Sequence, residues 1–242
     1  MSFRKTKKKL KALTKLPSIK TTFRWSWRIL LLVFIIDIGY LIGIWPNWAI
    51  YKTGPIQQSN FIRDYISQHQ HNNWPALRWQ PISINRIPKH VARTFIIAED
   101  ARFYSHSGID TEALKEVMEY NFSKNRFIYG GSTISQQTIK NMFLSPSRNP
   151  LRKWHEFVLT IAMENNLSKK RILELYLNIA EFGRGIYGIN AAAKHYWGMS
   201  ASQLSLQQAI ELAASLPAPV KHNPHTRTKF FLKRVNKISR YF

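Results

Sequence analysis

The chain has 242 residues, with 36 Lys and Arg against 13 Asp and Glu, a formal charge of +23, and no cysteine. The missing cysteine excludes a disulfide framework, a thiolate metal site and a cysteine nucleophile. The charge calls for an anionic partner (nucleic acid, membrane surface or phosphate-bearing substrate), and a hydrophobic content of 45% excludes a disordered polycation.

Basic residues crowd the N-terminus from Arg4 to Arg28, with no acidic residue among them. An apolar run follows at once, Ile29 to Ile36 and then Ile38 to Trp45, with Asp37 as its only charge and Trp25, Trp27, Trp45 and Trp48 at its ends. About 20 apolar residues cross a bilayer, aromatic residues gather at its interfaces, and positive charge stays on the cytoplasmic side. The reading is therefore a basic cytoplasmic tail over 1–24, a transmembrane helix over 25–48, and the rest of the chain outside. Gly43-Ile44-Trp45-Pro46 is a poor signal-peptidase site, and no nucleic-acid module stands beside the basic tail. The anionic partner is then a membrane and its lipids, not a nucleic acid.

Residues 49–86 read as a linker and entry segment, rich in Gln, Asn, Pro and Trp. His69 and His71 have no third ligand near them in sequence and read as solvated. From 87 to 242 helical signals dominate. Pro88 suits a first helical position, and Val91, Phe95 and Ala98 recur at helical spacing up to Glu99. Asp110 caps a helix to about Phe122, with Leu114, Val117 and Met118 turned inward. Thr133 and Gln136 form a capping box for a helix to about Leu144. Asn149-Pro150 opens a helix with the apolar stripe Leu151, Trp154, Val158, Ile161 and Ala162. Ser168 caps a helix carrying Ile172, Leu173, Tyr176 and Ile179, and Ser205 to Gln208 is a second capping box. Phe231, Val235, Ile238 and Phe242 share one face of a basic C-terminal helix, which reads either as membrane-surface or as packed on the domain. Strand signals are scarce, so the fold class is mainly α.

Three runs carry chemistry. The first is Glu99-Asp100, at the end of a buried helix. Burial and the helix dipole both penalise a carboxylate there and raise its pKa, as a general acid or base requires; the plain alternative is a surface pair with Arg102 or His106. The second is Gly130-Gly131-Ser132-Thr133-Ile134-Ser135-Gln136-Gln137, a glycine turn entering a helix whose free N–H groups suit an anion. Lys140, Asn141, Arg148, Arg152 and Lys153 surround it in sequence. The third is Arg152-Lys153-Trp154-His155-Glu156, in which Arg152 and Glu156 share a helix face. Gly183 to Gly188 matches a dinucleotide fingerprint by letter only, because a helix precedes it; it reads as a tight glycine loop between two helices. Ser-x-x-Lys occurs only at Ser2 to Lys5, in the basic tail, so no penicillin-type acylation centre is read.

Together these runs resemble the peptidoglycan glycosyltransferase family. Glu99-Asp100 with Phe103, His106 and Gly108 is similar to its first signature, Gly131 to Gln137 with Lys140-Asn141 to the second, and Arg152-Lys153 with Glu156 to the third. Arg171 to Asn178 is similar to the fourth. Gly188 to Ala193 with Tyr196 and Gly198 is similar to the fifth, with Met199 where that signature ends in lysine. A chain ending at Phe242 resembles the monofunctional members.

The resemblance implies a lysozyme-like helical domain that polymerises lipid II into β-1,4-linked glycan strands, with inversion and release of undecaprenyl pyrophosphate. It implies Glu99 and Glu156 as catalytic carboxylates. Asp100, Ser132, Thr133, Gln136, Gln137, Lys140, Asn141, Arg148, Arg152 and Lys153 would bind substrate. No cofactor is required, and a divalent cation such as Mg2+ on the pyrophosphate is compatible. The implied partners are lipid II, the growing strand, the membrane and other cell-wall synthesis proteins, at the bacterial inner membrane with the catalytic domain in the periplasm. A lytic transglycosylase or muramidase of similar fold, and a non-catalytic membrane-anchored scaffold, are the alternatives.

Overall fold

The computed structural model describes residues 19–123, 131–147 and 149–242, in two compact units divided between Trp45 and Pro46. The first contains helix α1, Ile19–Gly43. Its 21 residues from Phe23 to Gly43 have a mean hydropathy of 1.8 and are long and apolar enough to cross a membrane. At 1.5 Å per residue they span roughly 30 Å, the thickness of a hydrocarbon core. The side chains of Ile29 to Ile36 are exposed, so this helix presents its apolar surface outward on its own.

The second unit begins immediately. Helix α2, Trp48–Lys52, is capped by Asn47, and Trp48 and Tyr51 meet the Phe143 ring edge-on at 5.8 and 5.1 Å. Arg171 donates to the Tyr51 carbonyl at 2.8 Å and the Gly54 carbonyl at 2.9 Å, and pairs with Glu174 at 2.7 Å. The segment 49–86 is thus folded into the domain rather than spanning a gap as a linker. Helix α3, Asn60–His69, starts on a Ser59 cap and buries Ile62 and Tyr65. Strand β1, Arg78–Trp79, follows, and Asn178 holds the chain just beyond it: its Oδ1 accepts from Ile82 N at 2.7 Å and its Nδ2 donates to the Ile82 carbonyl at 2.9 Å.

Eight more helices and two short 3-10 turns, Ile84–Arg86 and Ala201–Gln203, complete the described part of this unit. Helix α4 runs Lys89–Glu99, α5 Thr111–Ser123, α6 Ile134–Phe143, α7 Pro150–Asn166 and α8 Lys169–Ile179, with α9 at Ile189–Trp197. Then come α10, Leu206–Ser215, and the C-terminal α11, Lys229–Ser239. Helix α6 lies against both α7 and α8, and α10 against both α4 and α11. Phe95, Ile134, Ile139, Leu159, Ile172, Phe182, Leu212 and Phe231 are fully buried between them. The caps fall where the side chains predict: Thr133 and Ser205 with their glutamines, Asn149 before Pro150, and Ser168.

Three expectations are corrected. Gly183 to Gly188 is not a loop between helices but a hairpin: β2, Glu181–Gly183, pairs antiparallel with β3, Ile186–Tyr187, and β3 pairs parallel with β1. Each strand is two or three residues long, too short to show an alternating pattern. Helix α5 does not bury Leu114 and Met118, which are 41% and 49% exposed. The apolar stripe of α7 points only partly inward: Leu151, Trp154 and Ile161 are exposed, as is Phe157 beside them, Val158 and Ala162 are half-buried, and His155, Glu156, Leu159, Thr160 and Met163 are buried. Periodicity gives the spacing of a stripe but not which neighbours cover it.

Helix α11 buries Phe231, Val235 and Ile238 against the domain, with Phe242 left 46% exposed, so the packed reading of this helix holds. Gly188 sits between hairpin and α9 at φ +83°, where an added Cβ would lie 2.7 Å from the Asn178 carbonyl oxygen. That oxygen belongs to the helix end that fixes β1. Gly188→Ala combines a left-handed backbone with a backbone clash, so its expected effect is a loss of about 2 kcal/mol or more, read as a lowered thermal midpoint of the purified chain.

Candidate active site

Helix α4 delivers Glu99 as its last residue, held from below by buried Val91, Thr94 and Phe95. The carboxyl is 13% exposed. It is gripped from two other helices: Gln137 Nε2 of α6 donates to Oε2 at 3.0 Å, and Arg234 Nη2 of α11 donates to Oε1 at 2.9 Å. Burial raises its pKa above the ordinary carboxylate range, against the opposing pull of Arg234, then the Gln137 hydrogen bond, then Lys140. Tyr176, buried on α8, directs its hydroxyl toward Gln137 Oε1 at 3.4 Å, on the side of the amide away from Glu99.

Neither expected surface partner reaches Glu99. His106 Nε2 donates to Asp100 at 2.9 Å, and Arg102 pairs with Asp110 at 2.8 Å and with Glu112 and Glu116 beyond it. Asp100 also accepts from the Ile134 N–H at 2.9 Å, which ties the loop after Glu99 to the start of α6. Thr133 caps α6 and donates to the Gly108 carbonyl at 2.6 Å, and the buried Gln136 returns its amide oxygen to Thr133 N. Asp100, Thr133 and Gln136, read from sequence as substrate ligands, therefore have their polar groups turned to the protein. Asp100 and Thr133 form part of the cleft wall, and Gln136 supports Thr133 from behind.

Asp100, His106 and Asp110 bring their ligand atoms within 4.8 Å of one another, the one such group among the described residues. Their oxygens already face His106, the Ile134 N–H, Arg102 and the Ala113 N–H. The guanidinium on Asp110 supplies the positive charge that a cation would bring.

A cleft of about 340 Å3 opens beside Glu99, with Arg102, Gly131, Ser132 and Thr133 on its walls. The third run closes on the same loop. Lys153 donates to Ser132 Oγ at 3.1 Å and pairs with Glu156, which also takes Arg152 at 2.8 Å. The Glu156 side chain is 3% exposed and lies between these two cations. Lys140 stands between the two carboxylates. Burial lowers its pKa, Arg152 and Lys153 press the same way, and Glu156 and Glu99 oppose them. Asn141 is half-buried beside it on α6, and Arg148 lies outside the described residues. Arg234 was not legible as a site residue, because it comes from the far end of the chain in a helix that reads as uniformly basic.

A buried carboxyl of raised pKa beside a cleft, with Lys153 and Arg152 gathered on Glu156 behind its Ser132 wall, is an arrangement suited to acid–base chemistry on a charged substrate. The chain belongs to the transglycosylase family, whose model matches residues 67–241, and the domain is lysozyme-like. It is similar to the biosynthetic peptidoglycan transglycosylase of Nitrosospira multiformis, 39% identical over 89% of this chain and 94% of that one. It is also similar to the protein of that name from Janthinobacterium sp., 40% identical over 87% and 90% of the two chains. The Dechloromonas aromatica protein of that name is 48% identical over 59% and 62%.

Proposed function

We propose that the chain polymerises lipid II into glycan strands at the outer face of the bacterial cytoplasmic membrane. The observation that carries this reading is the Glu99 carboxylate, raised in pKa at a helix end and facing the cleft. As general base it takes the proton from the 4-hydroxyl of the acceptor sugar. That oxygen attacks the anomeric carbon of the donor from the side opposite its pyrophosphate, so an α linkage becomes a β-1,4 bond. The leaving pyrophosphate gathers negative charge, which Lys140, Arg152 and Lys153 meet, with Arg148 adjoining them in sequence. Glu156 acts through those cations, holding Arg152 and Lys153 in place. Mg2+ on the pyrophosphate would add to the same charge compensation. Incubating the detergent-solubilised chain with labelled lipid II tests the reading. Polymer is expected; cleavage of preformed strands without polymer would establish a lytic enzyme instead, and neither product would leave a scaffold.

Both substrate and product carry a polyprenyl tail, so the cleft has to work at a bilayer. The α7 stripe Leu151, Trp154, Phe157 and Ile161 lies at 100° per residue roughly opposite the buried His155, Leu159 and Met163, and Phe122 at the end of α5 is 76% exposed. These residues are the proposed docking face; Phe127, Ile128 and Tyr129, which follow Phe122 in sequence, lie outside the described residues. A chain starting at Pro46 should still sediment with anionic liposomes, less so with rising salt. Leu151→Ser with Phe157→Ser should cut the bound fraction severalfold. Unchanged binding by that folded double variant would remove α7 from the docking face.

A further inference from the structure

A second cavity, of about 300 Å3, is lined by Arg78 of β1, Arg184 of the hairpin turn, His195 and Tyr196 of α9, and Asn223 and His225 before α11. It shares no lining residue with the cleft at Glu99, and no carboxylate lines it. Arg78 Nη1 lies 2.8 Å from His195 Nδ1. A guanidinium can only donate, so Nδ1 accepts, and the neutral ring carries its proton on Nε2. The His195 and His225 rings are 5.1 Å apart, and Tyr196 meets His225 edge-on at 4.8 Å.

The frame of this cavity is fixed. Arg184 lies 4.7 Å over the Trp74 ring, which limits its freedom. Asn223, 8% exposed, accepts the N–H groups of His225 and Thr226 at 3.1 Å each and donates to the Pro219 carbonyl at 2.8 Å. Tyr196 donates to the Phe182 carbonyl at 2.7 Å, and neighbouring Lys194 donates to Gln80 at 2.6 Å. Glu181, outside the cavity lining, is pushed up to about 7 by burial against the opposing pull of Arg184. His195 is held below its ordinary value by burial, then by Arg78, then by His225. Two guanidiniums and two imidazoles therefore face one space with little negative charge to balance them.

We propose that this cavity is a second anion site, which takes a carboxylate or phosphate group between Arg78, Arg184 and the His195–His225 pair. A bound oxyanion accepts from the guanidinium edges and from His195 Nε2–H, and it offsets the repulsion between the Arg78 and Arg184 cations. Such a group could be a carboxylate of the peptide carried by a glycan strand, or a phosphate.

The test uses the full-length chain in detergent, titrated with inorganic phosphate in one arm and with a soluble disaccharide-peptide fragment in the other, at constant ionic strength. The imidazole NMR signals of His195 and His225, assigned with His195→Gln and His225→Gln, report the site. Saturable shifts in at least one arm are expected, with affinity rising as pH falls through the histidine range, since protonated rings attract the anion more strongly. The arm that saturates identifies the source. Arg78→Gln or Arg184→Gln should weaken binding about tenfold, the loss of one charge-assisted hydrogen bond, while lipid II polymerisation and the thermal midpoint stay at the parent values. No saturable shift in either arm, or saturation unaffected by both arginine substitutions, overturns the site. Because polymerisation is measured separately, failure here leaves the reading of Glu99 untouched.

Discussion

Glu99→Gln is expected to keep the fold and to lower lipid II polymerisation by at least about a hundredfold, the weight of a positioned general base. Glutamine preserves the shape and can still meet Gln137 and Arg234, but it cannot take a proton. The pH profile gives a sharper reading. Burial sets the Glu99 carboxyl above its ordinary value and Arg234 pulls it back, so rate should rise with pH through that raised value. Arg234→Gln removes the opposing cation and should move this acid limb to higher pH. The sign for stability is the reverse of a usual salt-bridged carboxylate. With the folded pKa above the unfolded one, the folded state binds more protons in between, and stability falls as pH rises through that window. A near-parent rate for purified Glu99→Gln, or an acid limb that stays put in Arg234→Gln, would remove Glu99 from the role of base.

The parts of this arrangement that local chemistry determines were legible in the sequence. Glu99 lies at a helix end because the apolar spacing of α4 runs out there, and Thr133, Asn149, Ser168 and Ser205 cap helices through hydrogen bonds to residues three positions on. The placement of Lys140 and Lys153 near one loop also follows from short sequence separations. What could not be read depends on distant partners. Arg234 reaches Glu99 across 135 positions, and Asn178 joins Ile82 across 96. The direction of an amphipathic face is also undetermined by periodicity, which gives the stripe but not what covers it. Leu151, Trp154 and Ile161 repeat like core residues, yet the buried side of α7 carries Glu156, which holds Arg152 and Lys153, together with His155, Leu159 and Met163. Asp100 reads as a ligand from its position beside Glu99, and only the fold shows it turned onto His106 and the Ile134 N–H.

Lys140→Ala is expected to lower kcat/KM for lipid II by roughly a hundredfold, the scale for removing one preorganised charge partner from a developing oxyanion. On the proposed reading it should also weaken binding of moenomycin, a phosphoglycolipid inhibitor of the family, whose phosphate would meet the same cations. Lys140 is suited to this because it lies between Glu99 and Glu156, in a partly buried position where its charge is poorly screened. The same burial lowers its pKa, so rate should fall on the alkaline side as the ammonium is lost, which with the Glu99 limb makes the profile bell-shaped. Two variants separate this from mere damage. Lys140→Arg keeps a charge that does not titrate in the accessible range, and should retain measurable activity while the alkaline limb disappears. Glu156→Gln removes the leading influence that raises Lys140, and should draw the alkaline limb to lower pH. An alkaline limb identical in all three chains would show that Lys140 does not carry the charge that the leaving pyrophosphate meets.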